Sequence, residues 1–269
     1  MQIKTKILII FTLLTLSCFT VKLSKDSHQP LKEQKEPTSI FTKYDSYNPR
    51  YLVEYEKTYQ KTTNYIYSLN LVNYPTFLNL DSENEAITIE GILLLNPKYY
   101  VSKDYVPDNL KPITTIPHIK RKNEVMYLDK NCLKALTNLF KESQKQNLKL
   151  TVFSAYRSFE KQTRLYNNAK NKAYVAKPGH SEHHSGLSVD ISTVENGLTS
   201  NFDKTSTFTF LENNAHKFGF ILRYPKNKEH ITGYNYEPWH YRYVGVSLAC
   251  KIYESNLTLE EYIYQNYEL

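Results

Sequence analysis

The sequence predicts an α+β fold, in which helices and short strands are mixed around a single core. Segments with the 3.6-residue spacing of helices are interspersed with strands of alternating polarity, without the regular strand–helix–strand rhythm of a parallel sheet. No internal repeat divides the chain. Its 269 residues are 41% hydrophobic and 23% charged, which is enough for one good core and too apolar for a disordered chain.

Residues 1–22 are interpreted as a signal peptide or membrane anchor. Lys4 and Lys6 precede the apolar run ILIIFTLLTLSCF, which is shorter than the ~20 residues of a membrane span. Cys18 follows Leu16 and Ser17, as at a lipoprotein cleavage site, but an ordinary or uncleaved signal stays open. We therefore expect an exported protein of the cell envelope, anchored on the outer face of the membrane or secreted.

The composition of residues 23–47, which is polar, charged and proline-containing, predicts a solvated linker before a folded domain at 48–269. The net charge of +7 comes with no nucleic-acid motif, and export argues against that partner, so attraction to an anionic envelope is the simpler account. Cys132 and Cys250 are the other two cysteines, and whether they pair stays open. No pattern indicates a protein partner.

The elements follow from local signals along the chain. Asn48 and Pro49 are typical of a helix start, and Asp129 of the cap of a helix whose apolar face begins at Cys132. Gly219 predicts the end of another helix and the entry into a strand. The remaining expected segments are an extended stretch within 87–101, a strand within 148–156, a helix within 159–173 and an extended segment at 238–245.

A histidine-rich stretch, PGHSEHHSGLSVDIS at 178–192, indicates either a metal site or a polar loop. Gly186 permits a tight turn, and the strand after it places Asp190 on the face opposite Val189. Such a turn can fold His183 back toward Asp190, which gives two ligands of a divalent metal; zinc would need a third. We expect His184 to point the other way, toward solvent or a neighbouring carboxylate.

The third ligand has a candidate in YEPWHYRYVG, where Glu237 and His240 are three residues apart. Pro238 argues against a helix, so the pair is predicted on a turn that enters a strand. His240 can then bind the metal, while Glu237 acts as general base toward the attacking water. Arg157, at the end of a strand in SAYRS, offers a planar cation for a carboxylate or a developing oxyanion.

Together these residues resemble the VanY-like D-alanyl-D-alanine carboxypeptidases, which are zinc peptidases related in fold to the lysostaphin and hedgehog domains. The pattern SxHxxGxAxD matches residues 181–190 with Ser188 in place of alanine, ExxH matches Glu237 and His240, and SxYR matches residues 154–157. The resemblance spans about residues 48–250. It implies a small domain with a central antiparallel sheet and a catalytic core at about 124–250.

The resemblance also implies roles and a substrate. Zn²⁺ would be held by His183, Asp190 and His240, with Glu237 as base and Arg157 on the scissile carbonyl or the terminal carboxylate. Weaker candidates for the substrate wall are Ser154, Tyr156, Gln162 and Ser181, whereas Glu182 is interpreted as a surface charge. The substrate would be the peptidoglycan stem peptide, losing its terminal D-alanine.

Other functions remain open on the sequence. The enzyme could instead be an L,D-carboxypeptidase or an endopeptidase acting on peptidoglycan peptides, because the shape of the pocket, not the metal motif, decides between them. A wall-binding protein that holds zinc without catalysis is a further alternative. Glu237 argues against it, since a pure binder has no need of a base beside the metal.

Overall fold

The computed structural model describes residues 39–43, 47–63, 65–73, 83–89, 91–122 and 124–267, and all structural statements below refer to them. The predicted signal or anchor at 1–22, including Cys18, lies outside the described residues, as does most of the predicted linker. Within the described ranges, the helices are all too short or too polar to cross a membrane. Cys132 and Cys250 are both free thiols.

The helices and strands are short and interspersed along the chain. The helices are α1 Leu52–Thr62, α2 Tyr65–Asn73, α3 Lys130–Lys145, α4 Phe159–Asn168, α5 Ser206–Asn214, α6 Glu229–Thr232, α7 Val246–Ser255 and α8 Leu259–Asn266. The strands are β1 Asn84–Glu85, β2 Thr88–Ile89, β3 Ile92–Leu93, β4 Tyr99–Tyr100, β5 Leu110–Pro112, β6 Tyr127–Asp129, β7 Thr151–Ser154, β8 Ser188–Ser192, β9 Phe220–Leu222 and β10 His240–Tyr243.

The N-terminal helices pack around an aromatic cluster of their own. The side chain of Asn48 accepts a hydrogen bond from the backbone N–H of Arg50, which caps the start of the helical segment as predicted. Phe41 is buried against Tyr55 and Tyr65, with ring centroids at 5.5 and 5.3 Å. The turn at Ile40–Lys43, within the predicted linker, belongs to this cluster, and the bounds of the linker stay a prediction.

Helix α3 forms the base of the main core. Asp129 caps it by accepting hydrogen bonds from the N–H groups of Asn131 and Cys132, at 2.7 and 3.2 Å. Its apolar face is fully buried, as the spacing predicted, and contains Cys132, Leu136, Leu139 and Phe140. This face packs against the inner side of the sheet, where Val189 and Ile191 of β8 are also fully buried. The helix therefore fixes the position of β8.

The central sheet has four strands in the order β7-β8-β10-β9, and every neighbouring pair is antiparallel. This confirms the α+β class and the central antiparallel sheet. A register shift between Val152 and Ser154 brings Ser154 opposite Asp190, and Asp190 in turn lies opposite His240. The backbone N–H of Arg223 donates to the carbonyl of His240. One row across the sheet thus carries four polar side chains.

The C-terminal part completes a second apolar cluster. Helix α5 ends in a short 3-10 turn at Gly219, which has a φ of 86° and leads into β9, as predicted. Beyond the sheet, α7 and α8 pack Ile252, Leu259 and Ile263 against Ile221 of β9. These two helices were not predicted from the sequence. They cover the side of the sheet that holds Arg223.

Candidate metal-binding active site

The three predicted ligands come together from a turn and two paired strands. His183 lies in the 3-10 turn Glu182–Ser185, which ends at Gly186 with a φ of 69°. Asp190 and His240 face each other across the β8–β10 pair. Glu237 precedes the turn at Pro238 that enters β10, so the predicted geometry of the ExxH segment is confirmed.

The donor atoms of these residues converge on one point. His183 donates through Nδ1 to the carbonyl of Ala155 at 2.8 Å, which leaves its buried Nε2 without a hydrogen-bond partner among the described residues. That Nε2 lies 3.3 Å from Oδ2 of Asp190, and Nδ1 of His240 lies 3.0 Å from Oδ1. The donor atoms of the three residues all lie within 4.8 Å of one another. Two imidazoles and one carboxylate fit zinc, which takes three such ligands in catalytic sites.

The pKa values of the three proposed ligands differ from those of free side chains. Burial lowers the pKa of His183 to about 4, so at neutral pH its Nε2 carries no proton and its lone pair can bind a metal ion. Burial also opposes a charge on His240, but its hydrogen bonds to Asp190 and Glu182 outweigh that effect and raise its pKa to about 9. The pKa of Asp190 lies well below its usual range, because the two histidines outweigh the effect of burial. Before metal binds, the site is thus an ionised carboxylate between the neutral imidazole of His183 and the protonated ring of His240.

Glu237 lies beside the cluster without belonging to it. Its Oε2 is 3.7 Å from Nδ1 of His240, and about a quarter of its side chain is exposed to the cleft. Burial raises the pKa of Glu237 to about 7, an effect to which Asp190 adds. A carboxyl group with that pKa can take up and release a proton near neutral pH, which is the requirement for a general base.

Arg157 is held in place by two of the residues that were predicted as substrate wall. Its Nε donates to Oγ of Ser154 at 3.2 Å and its Nη1 to Oε1 of Gln162 at 2.8 Å. Gln162 is itself fully buried and donates to the carbonyl of Ala176. The third guanidinium nitrogen lies 3.5 Å from Oδ2 of Asp190. The guanidinium is therefore fixed with one edge toward the proposed metal position.

A cleft of about 1020 Å³ opens over these groups. Its lining contains seven of the nine residues predicted for the site: Ser154, Arg157, Ser181, His183, Asp190, Glu237 and His240. Gln162 and Tyr156 are not part of the described lining, and their assignment to the substrate wall stays a prediction. Gln162 is buried behind Arg157, and the backbone N–H of Tyr156 is tied to the carbonyl of Tyr127.

His184 does not face solvent, contrary to the sequence-based expectation. It is 2% exposed, accepts a hydrogen bond from the N–H of Gly179 at Nε2 and donates from Nδ1 to the carbonyl of Arg157. Burial lowers the pKa of His184 to about 4. The residue therefore joins the loop before the metal cluster to the strand end that carries Arg157.

Glu182 is buried, not a surface charge. Its Oε1 accepts hydrogen bonds from Nε of Arg223 at 2.8 Å and from Nη1 of Arg242 at 3.0 Å. Burial would raise the pKa of Glu182, but the two guanidinium groups outweigh it and hold the pKa well below its usual range. Arg223 in turn binds both carboxylate oxygens of Glu260 in α8. Sequence reasoning missed this network, whose one local signal is a pair of arginines inside otherwise apolar strand segments.

Comparison with known proteins gives a consistent match. Residues 125–246 match the family model described as VanY, D-alanyl-D-alanine carboxypeptidase. YodJ of Bacillus subtilis strain 168 is 38% identical over 215 residues, which cover 75% of this chain and 77% of YodJ.

Two solved structures share the fold. The LdcB LD-carboxypeptidase is 36% identical with a TM-score of 0.62, and the match covers 69% of this chain and 96% of that one. A variant of the vancomycin-resistance D,D-pentapeptidase VanY, solved in complex with Zn(II), is 33% identical with a TM-score of 0.51, covering 63% and 97% of the two chains.

Proposed function

This chain belongs to the VanY family of D-alanyl-D-alanine carboxypeptidases, and on that premise we propose that it removes the terminal D-alanine from peptidoglycan stem peptides by zinc-dependent hydrolysis. His183, Asp190 and His240 are the proposed zinc ligands, Glu237 the general base and Arg157 the cation that binds the substrate. One observation carries the proposal. A buried imidazole nitrogen of His183, which has no hydrogen-bond partner among the described residues, faces a carboxylate and a second imidazole, with Glu237 beside them.

Zinc bound at this point would act as a Lewis acid toward the scissile carbonyl and would lower the pKa of the attacking water. Glu237 takes the proton from that water as the water oxygen adds to the carbonyl carbon. The C–N bond then breaks, and Glu237 passes the proton to the departing amino group of D-alanine. A carboxyl group with a pKa of about 7 is suited to both transfers.

Arg157 contributes a fixed positive charge at the same place. Because Ser154 and Gln162 hold its guanidinium, it meets negative charge with little reorganisation. Such a charge binds either the oxygen of the carbonyl under attack or the terminal carboxylate of the peptide. The second role requires a substrate that ends in a free carboxylate, and it is this role that supports a carboxypeptidase over an endopeptidase.

An L,D-carboxypeptidase, which acts on tetrapeptides, is the second candidate. The observation that favours it is the TM-score of 0.62 to the LdcB LD-carboxypeptidase, against 0.51 to the D,D-pentapeptidase VanY. The metal cluster and Glu237 serve either reaction equally. The two activities differ in the configuration of the residue before the scissile bond, so only the substrate decides.

The test is the release of D-alanine from defined pentapeptides and tetrapeptides, measured together with bound zinc for wild type and Glu237→Gln. We expect wild type to use the pentapeptide. Glu237→Gln should keep full zinc and lose about 10²–10⁴-fold in turnover, because an amide cannot accept the proton of the water. A glutamine variant with near-normal turnover would refute the mechanism. Release from the tetrapeptide alone would replace the D,D assignment by the L,D one.

We further propose that the protein is exported and acts at the outer face of the membrane. The support is the N-terminal sequence, in which Lys4 and Lys6 precede an apolar run that ends near Cys18. Fractionation of cells that express the whole chain tests this, and Cys18→Ala should release the protein into the medium if a lipid on Cys18 is the anchor. Retention of the variant at the membrane favours an uncleaved signal, and a cytoplasmic wild type would contradict export.

A further inference from the structure

The buried charge network of Glu182, Arg223, Arg242 and Glu260 contacts one of the proposed zinc ligands, His240. Glu182 is 1% exposed, and its Oε2 lies 3.5 Å from Nε2 of His240. The opposite ring nitrogen, Nδ1, is the one that faces Asp190 at 3.0 Å. The imidazole of His240 is therefore placed between two carboxylates, with one nitrogen toward the metal position and the other toward Glu182.

The carboxylate of Glu182 cannot rotate freely, because its other contacts fix each oxygen. Oε1 accepts from Nε of Arg223 and Nη1 of Arg242, both fully buried. Oε2 accepts from the hydroxyl of Ser188 at 3.1 Å. Arg223 is held by Glu260, and Arg242 by the carbonyl of Leu93. These contacts leave Oε2 facing His240.

From this arrangement we propose that Glu182 is a positioning residue for the metal ligand His240. It accepts the proton of Nε2 and so keeps the lone pair of Nδ1 directed at the metal. Histidine ligands commonly donate their second N–H to a carboxylate, and loss of such a partner typically costs ~10–100-fold in metal affinity. The proposal rests on the zinc site of the proposed function and assigns a task to a residue outside the ligand set.

Substitution of Glu182 by glutamine reverses one hydrogen bond at constant size. Two guanidinium groups face Oε1, so the amide oxygen of glutamine must take that position. Its NH₂ group then faces His240 and meets the Nε2–H as a second donor. This repulsion between two hydrogen-bond donors is removed only if the proton of the imidazole moves to Nδ1. A proton there blocks the nitrogen that faces the metal position.

Glu260→Gln is the matched control. Glu260 is also fully buried and bound to Arg223, so the substitution removes the same charge from the same network, but it makes no contact with His240 in the described structure. A purely structural role predicts equal effects of the two substitutions. A positioning role predicts an effect on zinc only at Glu182.

The experiment measures zinc affinity by competition with a chelator for the full-length chain in mild detergent, as wild type, Glu182→Gln and Glu260→Gln. We expect Glu182→Gln to weaken binding by ~10–100-fold and Glu260→Gln to change it by less than about threefold. Equal losses in both variants, or full affinity in Glu182→Gln, would overturn the role of Glu182 while the proposed function stands. Weaker binding in Glu182→Gln, in a chain whose wild type releases no D-alanine, would instead refute the activity and keep the positioning role.

A second measurement needs no variant and covers the case in which Glu182→Gln does not fold. The side-chain ¹⁵N spectrum of zinc-loaded wild type reports which nitrogen of His240 carries the proton. A proton on Nε2 and metal on Nδ1 support the proposal. The opposite assignment would overturn it, because Glu182 would then have no proton to accept.

Discussion

Two adjacent histidines, His183 and His184, have opposite tasks in this structure. Nε2 of His183 faces the other proposed metal ligands and has no hydrogen-bond partner in the described part of the chain, whereas both nitrogens of His184 are hydrogen-bonded to the backbone of Gly179 and Arg157. Because both side chains are about equally buried, burial alone does not separate ligand from structural histidine. The two are distinguished by the hydrogen bonds of their ring nitrogens, since Nε2 of His183 is available to a metal and neither nitrogen of His184 is.

This difference predicts the outcome of two alanine substitutions. His183→Ala should lose most of the zinc from a protein that otherwise holds about one ion per chain, because a site with two ligands binds zinc weakly. His184→Ala should retain zinc and lose ~1–3 kcal/mol of unfolding free energy, since it leaves two buried backbone groups unpaired. Metal analysis and thermal unfolding of both variants check this. Zinc loss in His184→Ala with retention in His183→Ala would mean that the ligand was misassigned.

The second histidine ligand predicts a pH dependence of metal binding. In the metal-free chain the pKa of His240 is raised to about 9, because hydrogen bonds to Asp190 and Glu182 outweigh burial. His240 therefore carries a proton at pH 7 that zinc must displace, and the apparent affinity should rise ~10-fold per pH unit between 7 and 9. Above pH 9 the proton is already absent, and the rise should level off. Chelator competition across pH 6.5–10 measures this, and a flat affinity between 7 and 9 would contradict it.

At the scale of elements, local signals in the sequence were sufficient for much of the site. Gly186 forms the expected turn, Asp129 caps the expected helix, and Pro238 directs Glu237 and His240 onto a turn and a strand. Each of these depends on residues close together in the chain, for which the residue type dictates the backbone conformation.

The remaining parts depend on partners that are distant in sequence. Glu182 is buried because Arg223 and Arg242, 41 and 60 residues away, neutralise it. Without those partners a glutamate in a polar stretch is ordinarily exposed, so the sequence suggests a surface charge. The alternation of β8 likewise predicts that Asp190 is opposite Val189, but not that both faces are buried. These points depend on three-dimensional packing, which cannot be predicted from the periodicity of the sequence.

Gly186 gives a prediction for the turn that carries His183. A Cβ added there would lie 2.8 Å from Cδ2 of Leu110, on a residue with a φ of 69°. Gly197 is the matched control, because its φ is 57° and an added Cβ would meet no atom within 4 Å. We expect Gly197→Ala to cost ~1–2 kcal/mol in backbone strain alone, and Gly186→Ala to cost more and to weaken zinc binding. Chemical unfolding and zinc titration compare them, and equal costs with unchanged zinc affinity would contradict a role for this turn in placing His183.

At the scale of the molecule, the site depends on chain segments on both sides of the matched family region. The model of the family covers residues 125–246, but Arg242 donates to the carbonyl of Leu93, and Arg223 binds Glu260 in α8. Leu94 and Ile221 belong to the apolar cluster that α7 and α8 cover. The support behind His240 is therefore built from residues before and after that region.

This dependence predicts that the fragment 125–246 does not fold by itself. Without α7 and α8, Arg223 loses its ion pair with Glu260, and the side of the sheet that holds it loses its cover, which weakens the network around Glu182. The exposed apolar cluster adds to that loss, and single domains have only ~5–15 kcal/mol of unfolding free energy in total. We expect the fragment to show no cooperative thermal unfolding and to bind zinc weakly, whereas residues 39–269 unfold cooperatively and bind about one zinc. Circular dichroism and metal analysis of the two fragments decide the matter. A cooperative transition with full zinc in 125–246 would show that the flanking segments do not support the site.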